Sequence, residues 1–446
     1  MEAQRQSKGT YYFIAPGSYA ITKAVGTKRK RAMALSLKPY TTAHKKRSST
    51  QLLEERSKKQ KVRLMANPME NAHHLPESMI IEILSWLPVK ELLQYKSVCK
   101  SWYSIISSSN FISQHLRNYC NNCNNVDGGG CLLVQRYVSQ NEIVLFELLL
   151  DGTPRVLAVA ELHRMPMYRS FINGPCNGIY YLYQYSSGQR ALWNPTINEL
   201  KVLPEITFEP SIATFANYEV CGFGLNPGTT DEYKVVVIKD RWRTSDDNDH
   251  DDDGSFATQL PQTVMVYSSR TNTWKYCGDL AKCYYLEMNN CYIYVNECCY
   301  WYAKDEVKEM DEVIISFDMA NNAFKEMDVP GYAQPSSRCL GVYDDSIAFY
   351  SLHGREKVFE LWTWDDGCRW TKKLTLGPGP FSDVSGPVGQ WKNNKVILRS
   401  DRNRLLVFDP ESKEVIDLVG FLRNANYEGV FTYMESLVSI NQTGKP

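Results

Sequence analysis

The sequence predicts two kinds of domain in one chain: a small all-α cluster of three helices, followed by an all-β domain of β-propeller type. Three observations lead there. In LPESMIIEILSWLPVKELLQYKSVCKSWYSII (residues 75–106) eighteen of 32 residues are apolar, and they recur at helical spacing. From Cys131 onward, short runs of Val, Ile, Tyr, Phe and Trp alternate with turns of Gly, Pro, Asn and Asp. Within that second part, one strand–turn–strand pattern returns at a nearly regular interval.

Ahead of the helices, residues 1–63 hold sixteen Lys and Arg against three Glu, a +13 tail on a chain of net charge +0. The basic runs are TKRKR (residues 27–31), HKKR (44–47) and KKQKVR (58–63). This composition predicts a disordered extension over residues 1–70. It reads as a nuclear-import signal, as a cleavable organelle transit peptide, or as a start placed too early, since Met65 and Met69 stand just before the first structured segment. Binding of nucleic acid through such runs alone would be non-specific, so no specific nucleic-acid partner is expected.

The first helix is expected over residues 76–86. Met79, Ile80, Ile83, Leu84 and Leu87 lay an apolar stripe along it, Pro76 fits the first turn and Pro88 stops it. A second helix over residues 90–96 presents Leu92, Leu93 and Tyr95. Ser97 is a suitable N-cap for a third over residues 98–107, with Cys99, Trp102, Tyr103 and Ile106 on its inner face. So short a cluster carries more apolar surface than it can bury alone, since chains below about 40 residues rarely sustain a core. The polar, Gly-rich stretch NYCNNCNNVDGGG reads as a linker, residues 118–130.

The recurring pattern is a strand ending in an apolar residue, a turn of Asn, Asp, Ser or Thr, and a return strand. Its copies begin at Ala191, Met265, Ile315, Leu361 and Leu406, and alignment on Trp193, Tyr267, Phe317, Trp362 and Phe408 gives intervals of 74, 50, 45 and 46. The last three match the ~40–50 residues of a four-stranded propeller blade. The long first interval contains the acidic insert TSDDNDHDDDG (residues 244–254), read as a solvated loop between KVVVI and TVMVY; it lacks the central Gly turn of a Ca²⁺ loop. To close a ring, FTYMESLVSI (residues 431–440) is expected to return and pair with residues 131–150, so removing the last fifteen residues should unfold the domain.

Rival chemistry is weakly supported. TWDDGCRW (residues 363–370) fits the turn motif of sialidase propellers, but it occurs once and is a strand-turn device. Only His163, His250 and His353 lie in the β part, too few for a copper centre. Cys120-x-x-Cys123, with Cys131 and His115 nearby, lacks the second knuckle of a zinc site, and Cys298–Cys299 sit in an aromatic strand. Thirteen scattered cysteines read as reduced thiols in a nuclear or cytoplasmic protein, and no segment is long and apolar enough to span a membrane. Neither a metal nor a cofactor is expected.

The helical segment strongly resembles the F-box of plant F-box proteins, through Leu75–Pro76, Ile83–Leu84, Leu87–Pro88, Val89, Leu92, Leu93 and VCKSWYSII (residues 98–106). The β part resembles the kelch-like F-box-associated domain of the same families, through PCNGIYYL, LWNPTINELKVLP, CGFGLNPGTTDEYKVVVI, VYSSRTNTW and ESLVSI. The domains are then residues 71–117 (F-box) and 131–440 (propeller). The resemblance implies a non-catalytic subunit of a Skp1–cullin–F-box ubiquitin ligase. It would dock a Skp1-like adaptor, and through it cullin and RING subunits, and recruit an unknown target; the alternative is a non-degradative binding propeller tethered to that adaptor. It also implies that Leu75, Pro76, Ile83, Leu84, Leu87, Pro88, Leu92, Val98, Cys99 and Trp102 divide between internal packing and the adaptor interface. Truncating Trp102, or Leu84 together with Pro76, should then abolish adaptor binding. By fold analogy, target-binding loops are sought at residues 168–171, 226–232 and 377–386.

Overall fold

The computed structural model describes residues 75–441 apart from 124–129, 140–141, 151–155, 165, 168–169, 208–212, 244–257, 287–291, 306–310, 332–336, 366–367, 392–393, 403 and 419–426. The basic tail and the acidic insert therefore lie outside the described residues.

Four helices, one more than expected, open the described chain: α1 (Glu77–Leu84), α2 (Val89–Tyr95), α3 (Lys100–Ile106) and α4 (Ser109–Cys123). Pro76 and Pro88 are N-caps in extended conformation, where a missing N–H costs nothing. Each carbonyl starts its helix, Pro76 accepting from Met79 and Ile80 and Pro88 from Glu91 and Leu92. The cap of α3 is Cys99 and not Ser97: the Cys99 Sγ accepts the Trp102 N–H at 3.5 Å, while the Ser97 hydroxyl donates back to Gln94 O at 2.7 Å. Helix α4 runs six residues into the expected linker. Ser108 Oγ caps it by accepting the Phe111 N–H, and Asn118 Nδ2 holds its far end by donating to Ser85 Oγ at 2.7 Å.

Six antiparallel sheets follow, each a blade. The first takes β1 (Gly130–Ser139), β2 (Glu142–Leu150) and β3 (Val156–Arg164). The second is β4 (Ser170–Cys176), β5 (Ile179–Gln184), β6 (Gln189–Asn194) and β7 (Glu199–Val202). The third is β8 (Ala213–Leu225), β9 (Tyr233–Arg243), β10 (Thr258–Ser268) and β11 (Thr273–Asp279). In the fourth, the short β12 (Tyr284–Leu286) and β13 (Tyr292–Val295) share the inner edge of β14 (Cys298–Asp305), outside which lie β15 (Asp311–Asp318) and β16 (Ala323–Asp328). The fifth is β17 (Ser337–Tyr343), β18 (Ser346–His353), β19 (Val358–Trp364) and β20 (Trp370–Leu376). The sixth is β21 (Val384–Gln390), β22 (Val396–Ser400), β23 (Leu405–Asp409) and β24 (Glu414–Asp417). Finally β25 (Tyr427–Tyr433) returns to become the inner strand of the first blade, pairing Val134 with Val430 and Cys131 with Tyr433. Successive inner strands touch all the way round, from β4 through β21 to β25 and back to β4, so the ring is closed.

Closure from both chain ends is as expected, with one correction. Only residues 431–433 of FTYMESLVSI pair in the sheet, and residues 434–440 leave it to run across the second blade.

The five recurring hairpins are the outer strand pairs of blades two to six. In four of them an apolar pair closes the turn seven residues apart: Trp193 with Leu200, Tyr267 with Trp274, Phe317 with Phe324 and Phe408 with Val415. The turns explain the Asn and Asp: Asp318 Oδ1 accepts the Ala320 and Asn321 N–H groups, and Asp409 Oδ1 accepts that of Glu411. The residue before the return strand has φ between 52° and 62° at Asn198, Asn272, Asn322 and Lys413, and in the fifth blade the positive φ (56°) falls at Cys368, two residues before β20. In the fifth blade the closing pair is Trp364 with Trp370, whereas Trp362 stands opposite Lys372. The alignment on Trp362 is therefore two residues out, and the corrected intervals are 74, 50, 47 and 44. The sialidase-like motif is this turn, with Asp365 accepting from Arg369 Nε (2.9 Å) and Thr371 Oγ1 (2.9 Å).

Blades seal against one another with side chains that fill the space over small residues on the inner strands. A Cβ on Gly224 of β8 would overlap the ring of Tyr294 in β13, whose hydroxyl donates to Leu225 O at 3.3 Å. Gly224→Ala is expected to lower stability by about 1–3 kcal/mol through overpacking, checked by chemical denaturation against the parent chain.

Candidate functional site

Alternation of strand direction sorts the connections into two ends of the ring. Turns from inner to second strand and from third to outer strand lie at one end; the remaining connections lie at the other. The helices sit at the first end, over the second blade. Their core of Leu84, Val89, Leu92, Ile105, Ile106 and Phe111 is completed by Leu437, with Ile197 of the β6–β7 turn packed against it.

The ten residues expected to serve packing and docking separate clearly. Leu84 and Leu92 are buried in the helical core, and Leu87 and Trp102 are half-buried, the latter set edge-on to Tyr95 at 5.6 Å. Leu75, Pro76, Ile83, Pro88, Val98 and Cys99 are exposed. Truncation of Leu84 would thus test folding and not docking. Cys99 and Tyr103, expected on the inner face of the third helix, face solvent instead, and so does Met79 of the α1 stripe. Together with Trp86, in the turn just past α1, they add to an exposed apolar set in which Met79, Ile83 and Trp86 are spaced four and three residues apart at 50%, 52% and 55% exposure. Glu82 organises that face, accepting from Trp86 Nε1 at 2.9 Å and Gln114 Nε2 at 3.0 Å. Large apolar side chains gathered in this way mark an interaction surface.

Behind that face the helices are fixed to the propeller. Glu435 Oε2 accepts the Val89 N–H at 3.0 Å, satisfying an amide that the Pro88 cap cannot serve. His115 is buried with Nε2 2.9 Å from Leu87 O. Burial depresses its pKa below the ordinary 6.5, against the opposing pulls of the Leu87 carbonyl and Glu435. The unfolded chain therefore binds this proton more readily, and the helices lose stability as pH falls through about 6.5. Once the slower intrinsic exchange at lower pH is divided out, the protection of amides in α2 and α4 is expected to fall between pH 7.5 and 5.5, and His115→Gln to flatten that step.

Of the three loops sought for target binding, the structure brings two to one end. Residues 168–169 lie outside the described residues, but Phe171 is the second residue of β4 and residues 377–383 connect β20 to β21, both at the end away from the helices. Residues 226–232 join β8 to β9 at the helical end, where Asn177 Nδ2 donates to Thr230 O at 3.1 Å. Strand parity alone decides this. At the far end Phe171 and Tyr185 are exposed and Phe381 is buried, anchoring its loop by stacking on Phe359 at 5.0 Å.

Among the described residues no group of three or more His, Cys, Asp or Glu is placed to hold a metal, and no helix is long and apolar enough to cross a membrane.

Comparison with known proteins adds to this geometry. A protein-family model described as "F-box associated beta propeller domain" matches residues 157–440, and one described as "F-box domain" matches residues 73–114. The chain is 26% identical to F-box protein At3g08750 of Arabidopsis thaliana, over 65% of this chain and 69% of that protein. It is 27% identical to F-box/kelch-repeat protein At3g23880 of the same plant, over 76% and 89%. Among solved structures, a chain of a nidogen/laminin complex aligns over 69% of this chain and all of that one, with 10% identity and a TM-score of 0.42.

Proposed function

The chain belongs to the F-box proteins that carry an F-box-associated β-propeller domain, and on that premise we propose that it is the substrate-recognition subunit of a Skp1–cullin–F-box ubiquitin ligase. The observation that supports this best is the set of exposed apolar side chains on and beside α1, Leu75 before it, Met79 and Ile83 on it and Trp86 after it, on a helical cluster mounted firmly on a closed propeller. In this reading α1 and the start of α3 dock a Skp1-type adaptor, cullin and RING subunits follow through it, and the far end of the ring holds the target, around Phe171 and Tyr185.

The mechanism is proximity. Holding a target lysine beside a charged conjugating enzyme turns an encounter of separate molecules into a reaction at high effective concentration. The attacking amine belongs to the target and the thioester to the conjugating enzyme, so no side chain of this protein makes or breaks a bond. Residence in the nucleus or cytoplasm is part of the same proposal.

Co-purification from plant cells with adaptor and cullin, together with accumulation of a propeller-bound protein when residues 75–114 are deleted, is the expected result. Unchanged half-lives for every bound protein would favour a non-degradative binding role.

A further inference from the structure

The last stretch of the chain does two jobs at once. As β25 it closes the ring against β1, and four residues later, at Leu437, it has become part of the helical core. Residues 434–440 are held by side chains of the second blade. Asn194 Nδ2 donates to Ser436 O (3.1 Å) and Val438 O (2.8 Å), and Thr196 Oγ1 accepts the Ser436 N–H at 3.3 Å. Glu199 accepts from Ser439 Oγ at 3.0 and 2.9 Å and from the Ile440 N–H at 2.9 Å. Gly178 has φ +77°, and a Cβ there would collide with Ser436 and with Met434 O, so the strap passes where only glycine leaves room. From this seat Glu435 reaches the first amide of α2, and Leu437 is inserted among Leu84, Val89 and Leu92.

We propose that residues 434–440 are a coupling strap: its seating, the stability of the helices and the closure of the ring are linked, so that loosening one loosens the others. The physical reason is continuity. If β25 withdraws from β1, Leu437 is drawn toward leaving a helical core small enough to miss it, and the Val89 amide loses its acceptor. Linkage is reciprocal, so a ligand that stabilises the helices must also stabilise the strap. The corollary for the adaptor rests on the function proposed above: adaptor docked on α1 should protect strap amides that it does not touch.

Hydrogen exchange by mass spectrometry on the full chain tests this, comparing the parent, Glu199→Ala and Leu437→Ala, each free and with a purified Skp1-type adaptor. In the free variants, exchange about tenfold faster is expected in the strap, in α2 and in β25, with β14, β15 and β18 unchanged. Faster exchange confined to the strap would overturn the coupling. Should either variant unfold globally, seen as uniform fast exchange, Ser439→Ala removes one donor to Glu199 and carries the same expectation in smaller degree. Adaptor binding to the parent is expected to slow exchange at residues 436–440; binding without that effect would refute the corollary. A parent chain that binds no adaptor would refute the proposed function, and the free-chain comparison would still decide the coupling.

Discussion

A chain shortened by fifteen residues, ending at Phe431, is expected to lose the propeller as a whole. The cut removes Thr432 and Tyr433 from the pairing with β1 and takes away the strap. Four buried apolar side chains go with it, Tyr433, Leu437, Val438 and Ile440. At about 1.5–3 kcal/mol each, their loss comes to roughly 6–12 kcal/mol, against a net stability of about 5–15 kcal/mol for a typical domain. Side chains on the other side are stranded too: Tyr180 loses the Thr432 carbonyl at 2.8 Å, and buried Asn194 loses both of its acceptors. The expected observation is the absence of a cooperative thermal transition in near-ultraviolet circular dichroism. A melting curve within a few degrees of the parent would show that the ring closes without its last strand.

Arg190→Ala is expected to be the most damaging single substitution in the propeller, lowering stability by about 3–5 kcal/mol. Glu219 of β8 is fully buried, and Arg190 of β6 grips it with two guanidinium nitrogens, Nε at 3.1 Å from Oε1 and Nη2 on Oε2. The same guanidinium donates to Gly188 O at 2.8 Å and lies over the rings of Tyr183 (5.2 Å) and Trp274 (5.8 Å). Once it is removed, Lys239, 3.9 Å away, is the cation left near the carboxylate among the described residues. Burial already pushes the Glu219 carboxyl upward, against the pull of Arg190 and Lys239. Without Arg190 the folded state takes up the proton more readily than the unfolded chain, so the variant should regain stability as pH is lowered toward the raised value. Urea denaturation at pH 7 and pH 5 measures both effects. Adding Glu219→Leu to Arg190→Met should restore much of the loss, since an apolar pair can replace a buried ion pair.

What could be read from sequence followed from how locally each feature is determined. The two proline caps and the helical spacing fix α1 and α2 within a few residues, because a cap needs only its neighbours. Which side of α1 turns inward is not local: Met79, Ile80, Ile81, Ile83 and Leu84 make it apolar nearly all round, and periodicity then cannot choose a face. Cysteine is a rare N-cap, so Ser97 looked the better candidate for α3, and α4 was hidden by the polar run from Asn118 onward.

The hairpins declared themselves through Asn and Asp at turns that demand positive φ. Their register in the fifth blade did not, because Trp362 and Trp364 share one face of a strand with period two and either can be taken as the closing residue. The first blade's hairpin escaped the pattern because Leu150 stands opposite Val156, with no aromatic residue to mark it. The strap had no local signal at all: its partners Asn194, Thr196 and Glu199 lie about 240 residues earlier in the chain. The exposed set was legible as a surplus of apolar residues, while its exact membership needed the packed core.

The central claim, that the exposed apolar side chains of α1 and of the turn leading into α3 dock a Skp1-type adaptor, is tested most directly by isothermal titration of the purified full chain with that adaptor, beside Ile83→Asp and Val98→Asp. Both side chains are exposed, at 52% and 61%, so the parent melting temperature should be kept. The parent is expected to bind, and each variant to lose about 2–4 kcal/mol of binding free energy, roughly 30- to 1,000-fold in affinity. Parental affinity in both folded variants would contradict the claim.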